Sequence, residues 1–154
     1  MDKICSFFGH RVIKSDDALR KELTCIIEKL ILIEGFTLFY FGEFSEFDEM
    51  CYKIVTMLKG RYPHIKRFYC SVEREGCKKE AYSSILREKY EQIVYLPLAY
   101  DYWYSRIYYR NCEMINRSDY IVFYAEERED SGAYKALKYA KKCKKTYINV
   151  FDLI

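Results

Sequence analysis

The chain has no CxxC pair, although it carries seven cysteines, at positions 5, 25, 51, 70, 77, 112 and 143. An odd number of thiols without paired spacing argues against a disulfide framework. Most lie in apolar periodic segments, where small buried hydrophobes belong. There are only two histidines, His10 and His64, and they share no ligand-like spacing with each other or with a cysteine, so no metal site is expected. The start, Met1-Asp-Lys, lacks the long apolar core of a signal peptide. The apolar runs are of strand or helix size and too short to span a membrane. The expectation is a reduced, cytoplasmic protein without a membrane partner.

Charge of one sign is also lacking. Lys and Arg number 26 against 23 Asp and Glu, a net +3, too weak by itself to argue for nucleic acid as a partner. Neither GxGxxG nor the Walker pattern GxxxxGK[ST] occurs, and there is no internal repeat, low-complexity tract or linker. What is present is 51% apolar and 18% aromatic content in 154 residues, which excludes disorder and suits one globular domain spanning 1–154.

Strands and helices alternate along the chain. An apolar run from Lys3 ends in Gly9-His10-Arg11. Residues 16–34 then carry Leu19, Leu23, Ile26, Ile27, Leu30 and Ile31 at helical spacing, with Ser15-Asp16-Asp17 offering caps and Gly35 a stop. The run 36–41 is apolar on both faces and predicts a buried strand. A helix is predicted over 45–61, with Pro63 as its break, and a third strand over 65–72. Residues 73–90 are mixed and predict a loop and a short helix.

Residues 92–97 predict another strand, whose place in the sheet or at its edge the pattern leaves open. An aromatic segment over 100–109 and a helix carrying Ile107, Met114 and Ile115 follow. Strand 120–124, a turn over 126–132, helix 133–142 and strand 146–150 complete the chain. Strands separated by helices of this length imply right-handed crossovers. The fold class predicted is α/β, a single Rossmann-like doubly wound, mostly parallel sheet with helices on both faces.

In such a sheet ligands bind outside the carboxyl ends of the strands, where N–H groups and helix N-termini favour anions. Gly9-His10-Arg11 combines a glycine that lets the backbone approach a ligand with a guanidinium fork suited to phosphate. The plainer alternative is a strand-ending glycine and a solvated arginine.

Gly42 ends the second strand, and Ser45, Glu46 and Asp48 open the next helix. Asp48 suits a ribose hydroxyl, whereas capping and dipole complementation explain the same residues without a ligand. Asp130-Ser131-Gly132-Ala133 opens the last long helix and offers either a second phosphate contact or an ordinary cap. Arg110 and Asn111 either reach the same cleft or line a solvated face. The aromatics Tyr95, Tyr100, Tyr102, Trp103, Tyr104, Tyr108 and Tyr109 fit core packing or a homo-oligomer contact better than base stacking.

Taken in order, these motifs resemble the SLOG superfamily of Rossmann-like domains, and in particular its small bacterial members. The matching residues are Phe8-Gly9-His10-Arg11, Phe39-Tyr-Phe-Gly42 with Phe47-Asp48, and Leu58-Lys-Gly-Arg-Tyr62-Pro63-His64-Ile65. Further on they are Arg110-Asn111-x-x-Met114-Ile115, Ser118-Asp119-Tyr120, Tyr124, and Gly132-Ala133 with Tyr139-Ala140. The resemblance implies binding of a nucleotide or nucleotide derivative, with no other cofactor indicated. It assigns Gly9, His10 and Arg11 to a first loop, Gly42 and Asp48 to a second, Ser131 and Gly132 to a third, and Arg110 and Asn111 to the wall between them.

Two departures stand out. Phe44-Ser45-Glu46 occupies a stretch where the family has a further glycine, and Lys138 stands near the position of the catalytic glutamate in the related cytokinin-activating phosphoribohydrolases, distant relatives along with the lysine-decarboxylase-like proteins. The hydrolase activity is therefore not carried over. An N-glycosidic hydrolase or transferase acting on a nucleoside monophosphate would need a carboxylate within reach of the sugar, with Asp48 or Glu46 as the best candidates and Glu126, Glu127, Glu129 or Asp130 as substitutes that nothing in the sequence singles out. A degenerate domain serving as a protein-interaction module is the remaining alternative.

Overall fold

A computed structural model describes residues 1–14, 16–42, 45–73, 86–97 and 103–154. Six strands form one sheet: β1 (Lys3–Gly9), β2 (Phe36–Phe41), β3 (Lys66–Ser71), β4 (Gln92–Tyr95), β5 (Tyr120–Tyr124) and β6 (Tyr147–Asn149). Their order is β4-β3-β2-β1-β5-β6, and every neighbouring pair is parallel. The helices are α1 (Asp17–Leu32), α2 (Glu46–Arg61), α3 (Trp103–Arg117) and α4 (Gly132–Lys142), and a 3₁₀ turn over Val150–Leu153 follows β6.

Local chemistry sets the boundaries. Asp16 caps α1 by accepting from the Leu19 N–H, and Gly35, with φ +75°, turns the chain into β2 where a side chain would be strained. Ser45 caps α2 through the Asp48 N–H, and Ser131 caps α4 through the Tyr134 N–H. The aromatic segment does not precede its helix: α3 already begins at Trp103. Residues 86–89 are helical, in line with the short helix predicted within 73–90; positions 74–85, Tyr100 and Tyr102, and the side chains of Trp103 and Tyr104 lie outside what is described. The strand left unplaced by the sequence is the sheet edge, with Phe68 opposite Gln92 and Ser71 opposite Tyr95.

Alternation along β1 builds the two cores. Cys5 and Phe7 face α1 and α2, packing with Phe39, Phe41, Leu23, Ile27, Phe47 and Val55. Phe8 faces the other way, with Tyr40, Phe123, Met114, Ile115, Ala136 and Leu137. Phe7 stacks on Phe41 at 5.1 Å between ring centroids. Each fully buried ring contributes about 1.5–3 kcal/mol relative to exposure.

Because right-handed crossovers fix the face on which each helix lies, α1 and α2 cover one side of the sheet and α3 and α4 the other. The chain leaves β1 towards one face and β5 towards the opposite face. These two central strands thus flank the topological switch point, where loops diverge and leave a crevice.

Candidate functional site

At the end of β1, an added side chain on Gly9 would stand 2.3 Å from the Cγ and 2.4 Å from the Cβ of Phe47. The missing side chain here admits the first turn of α2. His10 is buried at 5% exposure and fastened on three sides. Its N–H donates to the Tyr124 carbonyl at 3.2 Å, its Nε2 accepts from the Glu126 N–H at 2.7 Å, and its Nδ1 lies 3.1 Å from Ser131 Oγ. Tyr124 meets the ring edge-on.

The His10 pKa is lowered: burial disfavours the imidazolium first and the Arg128 charge adds to it, with Glu126 opposing. Both ring nitrogens are engaged by the protein itself.

Arg11 is exposed, and its carbonyl accepts from the Glu46 N–H at 2.9 Å. The Glu46 carboxylate in turn accepts from the Ile13 N–H at 2.8 Å. These reciprocal bonds clamp the 11–13 segment on the N-terminus of α2 and spend the Glu46 carboxylate on the loop backbone. The Arg11 side chain itself is left exposed on this fixed backbone.

At the end of β2, Arg110 reaches across from α3. It is 3% exposed, donates through Nη1 to the Gly42 carbonyl, and binds Asn111 Oδ1 through Nη2 at 3.0 Å and Nε at 3.2 Å. A Cβ on Gly42 would approach Arg110 Cζ to 3.1 Å and Met114 Sδ to 2.9 Å, so the guanidinium needs a glycine beneath it. Asn111 is buried as well, and Asp48 is 3% exposed in the first turn of α2. Burial first, and then the Asp48 charge, push the Cys51 thiol up. Burial also raises Cys70, to about 12, against the opposing charge of Arg110. These thiols are packing groups at neutral pH.

The end of β5 is tied to β6. The Asn149 side chain accepts from the Ala125 N–H at 3.0 Å and donates to the Ala125 carbonyl at 2.9 Å. Ser131 follows as cap of α4, and among the described residues, its chain neighbours and own helix backbone aside, no heavy atom lies within 4 Å of a Cβ built on Gly132. The third loop is therefore open where the first and second are closed by packing.

His10 and Ser131 meet beyond the carboxyl ends of β1 and β5, with Arg11 and Gly132 next to them in the chain. Arg110, Asn111 and Gly42 form a separate, mutually bonded wall over the end of β2, with Asp48 in the facing helix start. Glu46 belongs to the loop clamp. Phe47, Asn149 and the Glu126 N–H were not foreseen; no local pattern marks them, because each acts on a partner at least 24 residues away in sequence.

Among the described residues no group of three or more His, Cys, Asp or Glu side chains could hold a metal, and no helix is long and apolar enough to cross a membrane. The six described cysteines are all free. A groove of about 770 Å³ runs between α3 and α4, lined by Tyr108 and Tyr109 of α3 and by Lys135, Lys138, Tyr139 and Lys142 of α4. None of the crevice residues lines it.

No protein-family model and no curated protein matches the chain. Several solved structures share its fold, two of them as follows. DNA processing protein A (DprA) from Streptococcus pneumoniae superposes with a TM-score of 0.62 at 13% identity, over 95% of this chain and 49% of that one. The structural genomics target TM1055 superposes with a TM-score of 0.55 at 14% identity, over 94% of this chain and 72% of that one. The chain spans about half the length of the DprA chain. The fold, shared with these structures, is a Rossmann-like α/β fold built on one all-parallel six-stranded sheet.

Proposed function

We propose that this SLOG-type fold binds a nucleotide or nucleotide-derived ligand in the crevice between the carboxyl ends of β1 and β5. The observation that carries the reading is the His10–Ser131 contact, which joins the loop bearing Arg11 to the open N-terminus of α4. Arg11 supplies the guanidinium fork, and Ser131 with the Gly132 N–H supplies neutral donors next to a positive helix end. Asp48 is the acceptor for a ribose hydroxyl. Gly9, Gly42, Arg110 and Asn111 shape the crevice floor and wall, on this reading, by packing and internal hydrogen bonds.

The ligand is sensed or held rather than consumed in this account. Of its two best candidates a hydrolase reading retains Asp48, since Glu46 is bound to the Ile13 N–H. The proposed setting is one domain over 1–154 in a reducing cytoplasm, where free thiols persist. The test is a thermal-shift panel of nucleoside mono-, di- and triphosphates, NAD, ADP-ribose and cyclic nucleotides. A single-stranded oligonucleotide is added because one structural neighbour is a DNA processing protein. Stabilisation by a small nucleotide supports the reading, stabilisation by the oligonucleotide alone replaces it with a polymer ligand, and release of free base moves it to the enzyme class.

A further inference from the structure

The hydrogen bonds around His10 fix its tautomer. Nε2 lies 2.7 Å from the Glu126 N–H and accepts from it, so Nε2 carries no proton. The proton of the neutral ring is therefore on Nδ1, and it is donated to Ser131 Oγ at 3.1 Å. The same oxygen accepts the Tyr134 N–H, also at 3.1 Å. Two donors fill the two acceptor positions of the Ser131 hydroxyl, and its own proton must point away from both.

We propose that His10 is a positioning residue: through Nδ1 it locks the Ser131 hydroxyl as a donor towards the crevice, and a second ring proton undoes the lock. The inference rests on the ligand-binding reading above and specifies its chemistry. The third loop takes a group that only accepts, a phosphate or carboxylate oxygen. His10 itself does not touch that group, in contrast to the contact implied by the family resemblance.

Protonation acts through Nε2. A proton there faces the Glu126 N–H, donor against donor, and drives the 125–131 segment off the ring. Ser131 belongs to that segment and moves with it. Among the described residues the charges acting on the ring are Arg128 and Glu126. They are paired with each other, Glu126 Oε2 accepting from Arg128 Nη2 at 2.6 Å and Nε at 3.0 Å. The Glu126 carboxylate is thus partly neutralised before it can favour an imidazolium. Tyr124 from β5 presents a ring edge, and α4 presents the Ser131 hydroxyl.

The sign of the pH profile separates this role from direct contact. An imidazolium touching a phosphate would bind more tightly as the pH falls. A positioning histidine gives weaker binding as the pH falls, because the segment it holds is released. ADP-ribose is a suitable probe, since its pyrophosphate charge is constant between about pH 5 and 8.

The experiment uses the full chain labelled with ¹⁵N. Long-range ¹H–¹⁵N spectra at neutral pH are expected to report the Nδ1–H tautomer; an Nε2–H tautomer overturns the inference whether or not a ligand is known. Calorimetry with ADP-ribose then compares wild type with His10→Asn, whose amide can donate from the Nδ1 position, and His10→Gln, whose amide reaches only the Nε2 position. His10→Asn is expected to keep wild-type affinity within a few-fold, and His10→Gln to lose about tenfold, the worth of one hydrogen bond to a charged partner. Wild-type affinity falls as the pH drops through the lowered His10 pKa, and that of His10→Asn stays flat. Equal affinities and equal pH profiles in all three proteins overturn the role of His10 alone. Failure of wild type to bind ADP-ribose or any other panel nucleotide overturns the nucleotide reading instead, and with it the ligand assigned to Ser131.

Discussion

The Phe47 ring occupies the space in which a side chain on Gly9 would stand, with Phe47 Cβ and Cγ both within 2.4 Å of that position. The clash involves the base of the side chain, close to the backbone of α2, and no rotamer change relieves it. Gly9→Ala is therefore expected to destabilise the fold by about 1–3 kcal/mol, the usual range for overpacking, measured by urea denaturation. Combined with Phe47→Gly, which removes both clashing atoms, the loss should be clearly smaller than the sum of the two single effects. Strict additivity would mean that Gly9 is required for something other than room for Phe47.

Asn149 serves as a side-chain clamp on β5. Both polar groups of Ala125 are satisfied by its amide, and Asn149→Ala leaves a buried N–H and a buried carbonyl without it. The expected loss is about 1–3 kcal/mol per unsatisfied group at most, lessened by any water that enters. Asn149→Asp retains the acceptor and should recover part of the loss. Stability unchanged in Asn149→Ala would show that the clamp is replaceable.

How far the sequence foretold this arrangement depended on the range of each interaction. The strands 36–41 and 120–124, the cap at Asp16 and the stop at Gly35 were legible, because period, propensity and capping act within a few residues. The start of α3 was not, since tyrosines and tryptophan at 100–109 carry no helical signature distinct from an aromatic cluster. Nor was the position of β4, four residues with two half-buried faces and no apolar run of their own. Gly9 was read for ligand approach while its neighbour Phe47 lies 38 positions on. Glu46 was read as a free carboxylate, although its partner is the Ile13 backbone 33 residues earlier.

The edge strand is held by a forked ion pair. Arg67 donates to Glu91 through Nε at 3.1 Å and Nη2 at 2.8 Å, and reaches Thr56 at 2.9 Å. Burial raises the Glu91 pKa, but the hydrogen bonds and charge of Arg67 outweigh it and leave the carboxyl below 4.5. A lowered folded pKa contributes stability that is complete above the unfolded value and is lost as the pH falls through the folded one. Glu91→Gln should therefore lose about 1 kcal/mol at neutral pH, a partly exposed bidentate pair, and narrow its deficit below pH 4.5. A deficit that stays constant into acid would remove the pair as its source.

His10 gives a second pH dependence, of the same sign and at a higher pH. Its folded pKa lies below 6.5, so its contribution to stability is intact above 6.5 and is lost as the pH falls through the folded pKa. Stability profiles of wild type and His10→Asn should run parallel above 6.5 and converge below it. Parallel profiles throughout would show that the ring titrates as it does in the unfolded chain.

The central claim is that the β1–β5 crevice holds the phosphate of a nucleotide through Arg11. The most direct test is the thermal-shift panel run on wild type and Arg11→Ala side by side. A ligand at about 100 times its Kd stabilises by roughly 2.7 kcal/mol, several degrees for a domain of this size. Arg11 is exposed, so the variant should melt with wild type in the absence of ligand. The account predicts a nucleotide-dependent rise in wild type that is absent from Arg11→Ala. An equal rise in both proteins, or none in wild type with any nucleotide, would contradict it.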